Sequence, residues 1–493
     1  MSRCTNPSRQ PGAPAPGLIN RRQAAALAVA LPVPSLILAQ ASDAQPRAPG
    51  LEPLRLALLI GNRDYPEGED LPPIHKNVRD LRAVLELRGF NVSQGLDLDM
   101  TQARAAMAQF VTRVRAAPPD AIVFFYFAGH GAQIDAENLL VAAHVNPKAR
   151  APTLIKGSMA LTEDVVGQLP RRPAGLTIAV IDACRTSLKS VVEGGDGLNQ
   201  VEAPLGTLIA FATGAGRPAI APADDKRNTF YTASLVKVLE TASDEISFSD
   251  MFRLVKYDVQ QTMLNHPVQL LRQFAQFPFI AENTRGSRRL AQLPAPAPFA
   301  PTVAAASAAA SAAASAPAVT EAPPQRFRSV DEAGDWARIE ATLWPADVAR
   351  MADEYLKNHP QSRLAGSAVV AREGANEAVQ VLRRNDVRLY RSAFQNPADT
   401  SAEALSELAK AGRGDKDAAA RLGRSVGPDS ARWDRSRYEG WMQYAAALGN
   451  GIASYDLALH YRRSDQPLLA SQFEARARQL GYTPPPSLDN TRK

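Results

Sequence analysis

The chain has 493 residues, 45% of them apolar and 22% charged, with only 2 cysteines. Such a composition describes a globular protein of roughly two to four domains and excludes a collagen-like fibre, whole-chain disorder and a disulfide framework. The formal charge is +6, but residues 1–41 hold Arg3, Arg9, Arg21 and Arg22 and no acid, so the remainder is close to neutral and carries no broad footprint for nucleic acid.

Residues 1–41 read as an export signal. Arg21-Arg22 precedes an Ala-rich apolar stretch from Ala24 to Ala39, and Ala39-Gln40-Ala41 gives a small-x-small cleavage pattern. The run is shorter than the roughly 20 residues of a membrane span and contains Pro32 and Pro34. Asn20 to Gln23 is similar to a twin-arginine signal, which implies export of a folded protein to the periplasm or cell envelope. Cys4 would leave with the signal. Cys184 then remains as the single thiol, which in an oxidising compartment is buried or used.

From residue 52 to 285 strand and helix patterns alternate. Leu54 to Ile60 is an apolar run ending at Gly61-Asn62, followed by a helical pattern through Val78, Leu81, Val84, Leu85 and Leu87 that stops near Gly89. Phe90 to Val92 reads as a short strand, and Ala106 to Ala117 as a helix with Met107, Phe110, Val111 and Val114 on one face. Ala121 to Phe127, Leu176 to Ile181 and Gly206 to Phe211 are continuous apolar runs. Buried strands separated by amphipathic helices predict a mostly parallel sheet covered on both faces, with ligands beyond the carboxyl ends of the strands.

Two of these runs end in residues capable of chemistry. The first stops at Ala128, Gly129, His130 and Gly131; the second at Asp182, Ala183, Cys184 and Arg185. If the two strands are neighbours, an imidazole and a thiol share one crevice. The thiolate is the nucleophile, a nearby imidazole takes its proton and returns it to the leaving amine, and backbone N–H groups hold the oxyanion. Each residue alone is more simply a histidine at the surface or supporting a neighbouring side chain, or a small buried cysteine. His75, His144 and His266 are poorer partners, and His359 and His460 lie far down the chain. Asp224, Asp225 and Asp196 read as solvated loop acids, and no calcium-binding loop is evident, so no metal or cofactor is expected. The Gly-rich segment from Arg185 to Pro204, with Lys189, reads as a flexible loop open to self-cleavage.

Residues 293–326 are an Ala/Pro-rich linker. Beyond it, 327–490 reads as all helix. Ala418, Leu422 and Val426 recur as Ala453, Leu457 and Tyr461, a spacing typical of helix-pair solenoids, and this resembles Sel1-like or tetratricopeptide repeats, clearest over 405–482.

The segments Tyr126 to Gly131 and Ile181 to Arg185 resemble the two catalytic motifs of the caspase-like cysteine peptidases of family C14, especially bacterial metacaspase-like and paracaspase-like members. Leu58 to Asn62 is similar to that family's first strand, Gly206 to Thr213 to the strand after the nucleophile, and Asn228 to Leu235 to the next helix start. The resemblance implies an α/β three-layer sandwich with a mostly parallel sheet, Cys184 as nucleophile, His130 as acid/base, and the amides of Gly131 and Cys184 as oxyanion hole. It implies that Asp182 helps bind a basic P1 side chain. Asn77 stands where metacaspase-like relatives carry a second acid, and Asp80, one turn on, is no evident substitute. Asp182 has a plainer role open to it, as partner of Arg185 or of a helix N-terminus.

The expected protein is therefore an exported cysteine endopeptidase forming a thioester acyl-enzyme, cleaving after Arg or Lys if Asp182 suffices. Protein or peptide is its substrate, and a protein partner is expected on the helical repeats, with no nucleic acid and no stable membrane span. The alternative is a silent caspase-like scaffold acting through its repeats. No Gly-x-Ser-x-Gly elbow, zinc motif or phosphate loop supports a third class.

Overall fold

The structure, a computed structural model, describes residues 53–134, 136–185, 198–214, 219, 222–273, 275–284, 288–290 and 331–483. The stretches expected to be an export signal and a linker, with Lys189 and Asp196, lie outside the described residues, as do the side chains of Cys184 and Arg185.

The first half runs β1 (Arg55–Gly61), α1 (Ile74–Leu87), β2 (Asn91–Leu96), α2 (Met100–Ala116), β3 (Ile122–Ile134), β4 (Glu137–Val141), α3 (Ala151–Lys156) and β5 (Ser158–Ala160). It continues with β6 (Leu176–Arg185), β7 (Thr207–Phe211), α4 (Phe230–Thr241), α5 (Phe248–Leu264), α6 (Gln269–Gln273) and β8 (Phe279–Asn283). The sheet has the order β2-β1-β3-β6-β7-β8, parallel except for β8, with β4 and β5 added antiparallel at the far end of β3.

Alternation along the strands builds two cores, one on each face of the sheet. Phe124, Tyr126, Ile178 and Val180 pack with Val78 and Leu81 of α1, Leu235 of α4 and Phe252 and Val255 of α5. Val123, Phe125, Ala179 and Ile181 face Met107, Phe110, Val111 and Val114 of α2, the stripe expected from spacing. The result is an α/β sandwich of three layers around a mostly parallel sheet.

Two boundaries differ from expectation for local reasons. Helix α2 begins six residues early because Asp99 and Gln102 form a reciprocal capping box. Strand β3 does not stop at the glycines: β4 pairs with Gly131 to Ile134, so the backbone stays extended through His130. Gly89 ends α1 as expected, in the left-handed conformation that glycine adopts without strain.

The second half is helical: α7 (Glu332–Ala341), α8 (Pro345–Asn358), α9 (Ala365–Leu382), α10 (Arg391–Gln395), α11 (Ala402–Gly412), α12 (Lys416–Ser425), α13 (Arg435–Ala447), α14 (Gly451–Arg463) and α15 (Pro467–Gln479). The echoed positions Ala418, Val426, Ala453, Leu457 and Tyr461 are all buried in one core, with Leu422 packed against it. Among the described residues no helix is long and apolar enough to cross a membrane.

This helical half closes the open edge of the sheet. Among the described residues strand β8 has no strand neighbour beyond it, and an uncovered edge is a template for pairing with another chain. Here Lys416 Nζ donates to the Ile280 carbonyl (2.8 Å), Arg421 Nη1 to that of Glu282 (2.8 Å) and Lys410 Nζ to that of Thr284 (2.7 Å). The Glu282 amide donates to Asp417 Oδ2 at 3.0 Å. Arg253 of α5, a half-buried cation, joins Glu282 and Asp415, each at 2.8 Å; desolvation pushes the Asp415 carboxyl up, but Arg253 and Arg421 outweigh it and hold it down to about 2.

Candidate active site

His130 and Cys184 are Cα partners in the parallel pairing of β3 with β6, which ends one residue later at Gly131 and Arg185. Pairing of β1 with β3 ends at Ala128 and that of β6 with β7 at Ile181, so both positions stand beyond the flanking strands. The expected juxtaposition is thus present in the backbone, on the carboxyl-end side of the parallel sheet. Gly131 is in register with Leu140 as well as Arg185.

The imidazole of His130 is buried and held by two contacts, the Glu69 carbonyl and the Tyr65 ring. Nε2 lies 2.7 Å from the Glu69 carbonyl oxygen, which can only accept, so Nε2 carries the proton and Nδ1 is left with its lone pair. Nδ1 is buried and has no hydrogen-bond partner among the described residues. The ring meets Tyr65 edge-on at 4.5 Å. The Tyr65 hydroxyl accepts the His130 amide (3.0 Å) and donates to the Val141 carbonyl (3.1 Å), tying the histidine strand to β4. Gly129 is required here, since a Cβ would come within 2.6 Å of that hydroxyl. Burial pushes the His130 pKa below the ordinary imidazole value, partly opposed by the Glu69 carbonyl, so the ring favours its neutral form.

Asp182 lies two residues before Cys184, on the face of the sheet that carries Tyr126. It is buried, and its Oδ2 accepts the hydroxyls of Thr229 (2.5 Å), Thr232 (2.6 Å) and Tyr126 (3.5 Å) and, at 3.4 Å, the Asn77 amide. Oδ1 accepts none of the side-chain hydrogen bonds described. Burial raises the Asp182 pKa, with the threonine hydroxyls opposing. Asn77 uses both ends of its amide: Nδ2 also donates to Thr229 Oγ1 (3.0 Å), and Oδ1 accepts the Thr229 amide (3.0 Å). Thr229 is the N-cap of α4 and also accepts the Thr232 amide. Asp182 therefore sits at a helix N-terminus, where a carboxylate is favoured. Asp80 is not part of this set; it binds Lys76 and Asn228.

Sequence reading missed Tyr65, Glu69, Thr229 and Thr232 as parts of this site. Glu69 acts through its main chain, which no side-chain pattern marks; the Thr229-Phe230-Tyr231-Thr232 helix start was visible, but its target was not. His75 is occupied elsewhere, its Nε2 2.6 Å from Asp97. Asp224 pairs with Arg227 at 2.7 Å within its loop.

Residues 54–288 match the family model described as the caspase domain, and the match points to a cysteine peptidase. Among solved structures the chain is similar to caspase-1 from Spodoptera frugiperda, at 15% identity and a TM-score of 0.37, covering 48% of this chain and 90% of that one. No curated protein matches the chain.

Proposed function

We propose that the chain is a cysteine endopeptidase in which Cys184 is the nucleophile and His130 the acid/base. The observation that carries this is the in-register pairing of the two positions together with a neutral-favouring His130 whose Nδ1 has no partner among the described residues. Nδ1 accepts the thiol proton, the sulfur attacks the scissile carbonyl, and the amides of Gly131 and Cys184 receive the negative oxygen. The imidazolium returns its proton to the leaving amine, and water then hydrolyses the thioester. The Glu69 carbonyl fixes the tautomer and stabilises the imidazolium, the part that a third group plays in such constellations.

Asp182 is the candidate acceptor for a basic P1 side chain, through Oδ1. Asn77 leaves the pocket with one carboxylate, a departure from the paired acids of metacaspase-like relatives, so a basic P1 preference rests on Asp182 alone. The helical half is read as Sel1-like or tetratricopeptide-like repeats that recruit a protein partner, and residues 1–41 as the signal that takes the protein to the periplasm or cell envelope.

The test is a mixed-P1 fluorogenic peptide library offered to the full chain and to Cys184→Ala, with and without calcium. Cleavage after Arg or Lys that vanishes in the variant is the expected result. Cleavage after another residue type keeps the dyad and discards the basic pocket. Equal silence of two folded proteins overturns the peptidase reading.

A further inference from the structure

Between the α/β half and the helical half lies a cleft of about 750 Å³, well within the size range of ligand sites. Helix α5 forms one wall with Lys256, Tyr257 and Gln260, and α9 the other with Glu373, Glu377 and Gln380. The floor is the segment from Phe277 to Ile280 and the start of α12. Most charges on the floor are already used, Arg253 on Glu282 and Asp415, and Lys416 on Asp417 and the Ile280 carbonyl. Lys256 and Glu377 are different: neither makes a hydrogen bond or an ion pair among the described residues. Burial lowers the Lys256 pKa, with Glu377 across the cleft as the main opposing influence. Tyr257 and Phe277 are large aromatics left more than a third exposed. Such rings supply contact area at low entropic cost and are enriched where proteins bind other chains.

The cleft opens at the active-site end of the sheet. The Ala212 amide still bonds to the Ile181 carbonyl (3.0 Å), so Gly214, two residues on and part of the cleft wall, stands at the same end as Cys184 and one strand over. Adjacent strands run about 5 Å apart, so a polypeptide lying across this end of the sheet passes from one to the next. We infer that this cleft is an exosite for the polypeptide substrate, receiving a stretch a few residues from the scissile bond that presents an apolar or aromatic side chain to Tyr257 and Phe277 and an acidic one to Lys256. The inference rests on the peptidase reading for its substrate. It gives the helical half a direct part in substrate selection, since α9 supplies one wall.

Two measurements separate the exosite from the chemistry. The first is fluorescence-anisotropy binding of fluorescein-labelled β-casein, an acidic unfolded chain, to full-length Cys184→Ala with and without Lys256→Glu and Tyr257→Ala. The expected result is about tenfold weaker binding with both wall substitutions and an unchanged unfolding midpoint. Equal affinity overturns the exosite, whatever the enzyme does. The second is the ratio of kcat/KM on β-casein to that on a tetrapeptide, which is expected to fall about tenfold in the Lys256→Glu, Tyr257→Ala enzyme. An unchanged ratio also overturns it. A tetrapeptide left uncut by the parent enzyme would instead remove the peptidase reading, and the anisotropy result would then decide the cleft alone.

Discussion

Replacing Asn77 by aspartate places a second carboxyl against Asp182, and the structure says what that costs. The new carboxylate would lie about 3.4 Å from Asp182 Oδ2, the present distance from the Asn77 amide nitrogen. Two unit charges at that separation repel by about 5 kcal/mol at an effective dielectric near 20. The pair escapes by keeping one proton, which at pH 7 costs about 4 kcal/mol for a carboxyl with an ordinary pKa near 3.9. The lost donation from Asn77 Nδ2 to Thr229 Oγ1 adds about 1 kcal/mol. A carboxyl whose folded pKa is raised contributes stability that is present below about pH 4 and is lost as pH rises through the folded value. Asn77→Asp is therefore expected to be destabilised by about 4–5 kcal/mol at pH 7 and by only about 1 kcal/mol at pH 4. Urea unfolding at both pH values, with Asn77→Ala as a control that adds no charge, reads this directly. A deficit of equal size at pH 4 and pH 7 would refute the placement of Asn77 against Asp182.

Arg253→Met leaves Glu282 and Asp415 without their shared cation. Breaking a buried pair costs about 3–5 kcal/mol, but the Arg253 side chain is 30% exposed, and screening brings the expectation to about 2–3 kcal/mol. Because Asp415 is held near 2, that contribution is present above about pH 4 and is lost as pH falls towards 2, so parent and variant should converge in acid. Tyr65→Phe removes the hydroxyl joining the His130 amide to the Val141 carbonyl; loss of about 1–2 kcal/mol in thermal unfolding and a fall in kcat with KM little changed are expected. The acid limb of kcat/KM should lie below the ordinary imidazole value of about 6.5, since burial lowers the His130 pKa; a limb above 7 would contradict the described surroundings of the ring.

The strands and the pairing of His130 with Cys184 were legible because continuous apolar runs such as Phe124 to Phe127 and Ile178 to Ile181 have few alternatives to a doubly covered sheet. The boundaries were less so. Nothing in the residues from Gly129 to Ile134 marks them as extended until β4 pairs with them, and the apolar face of α2 does not mark its start, which the capping pair Asp99 and Gln102 sets six residues before Ala106.

Local pattern is a property of neighbours in the chain, and it determined which segments are strands, which are helices and which two residues can do chemistry. Whether Asp182 is a free pocket charge or a capped one was decided by Asn77, Thr229 and Thr232, which lie 105, 47 and 50 positions away and meet it only when α1 and α4 pack on the sheet. The tautomer of His130 was decided by a main-chain carbonyl 61 residues back. The covering of β8 by Lys416, Asp417 and Arg421 likewise exists only once two regions of separate pattern are folded against each other. Periodicity reports which side of an element is apolar; it holds no information about which polar groups from distant elements must satisfy one another once water is removed.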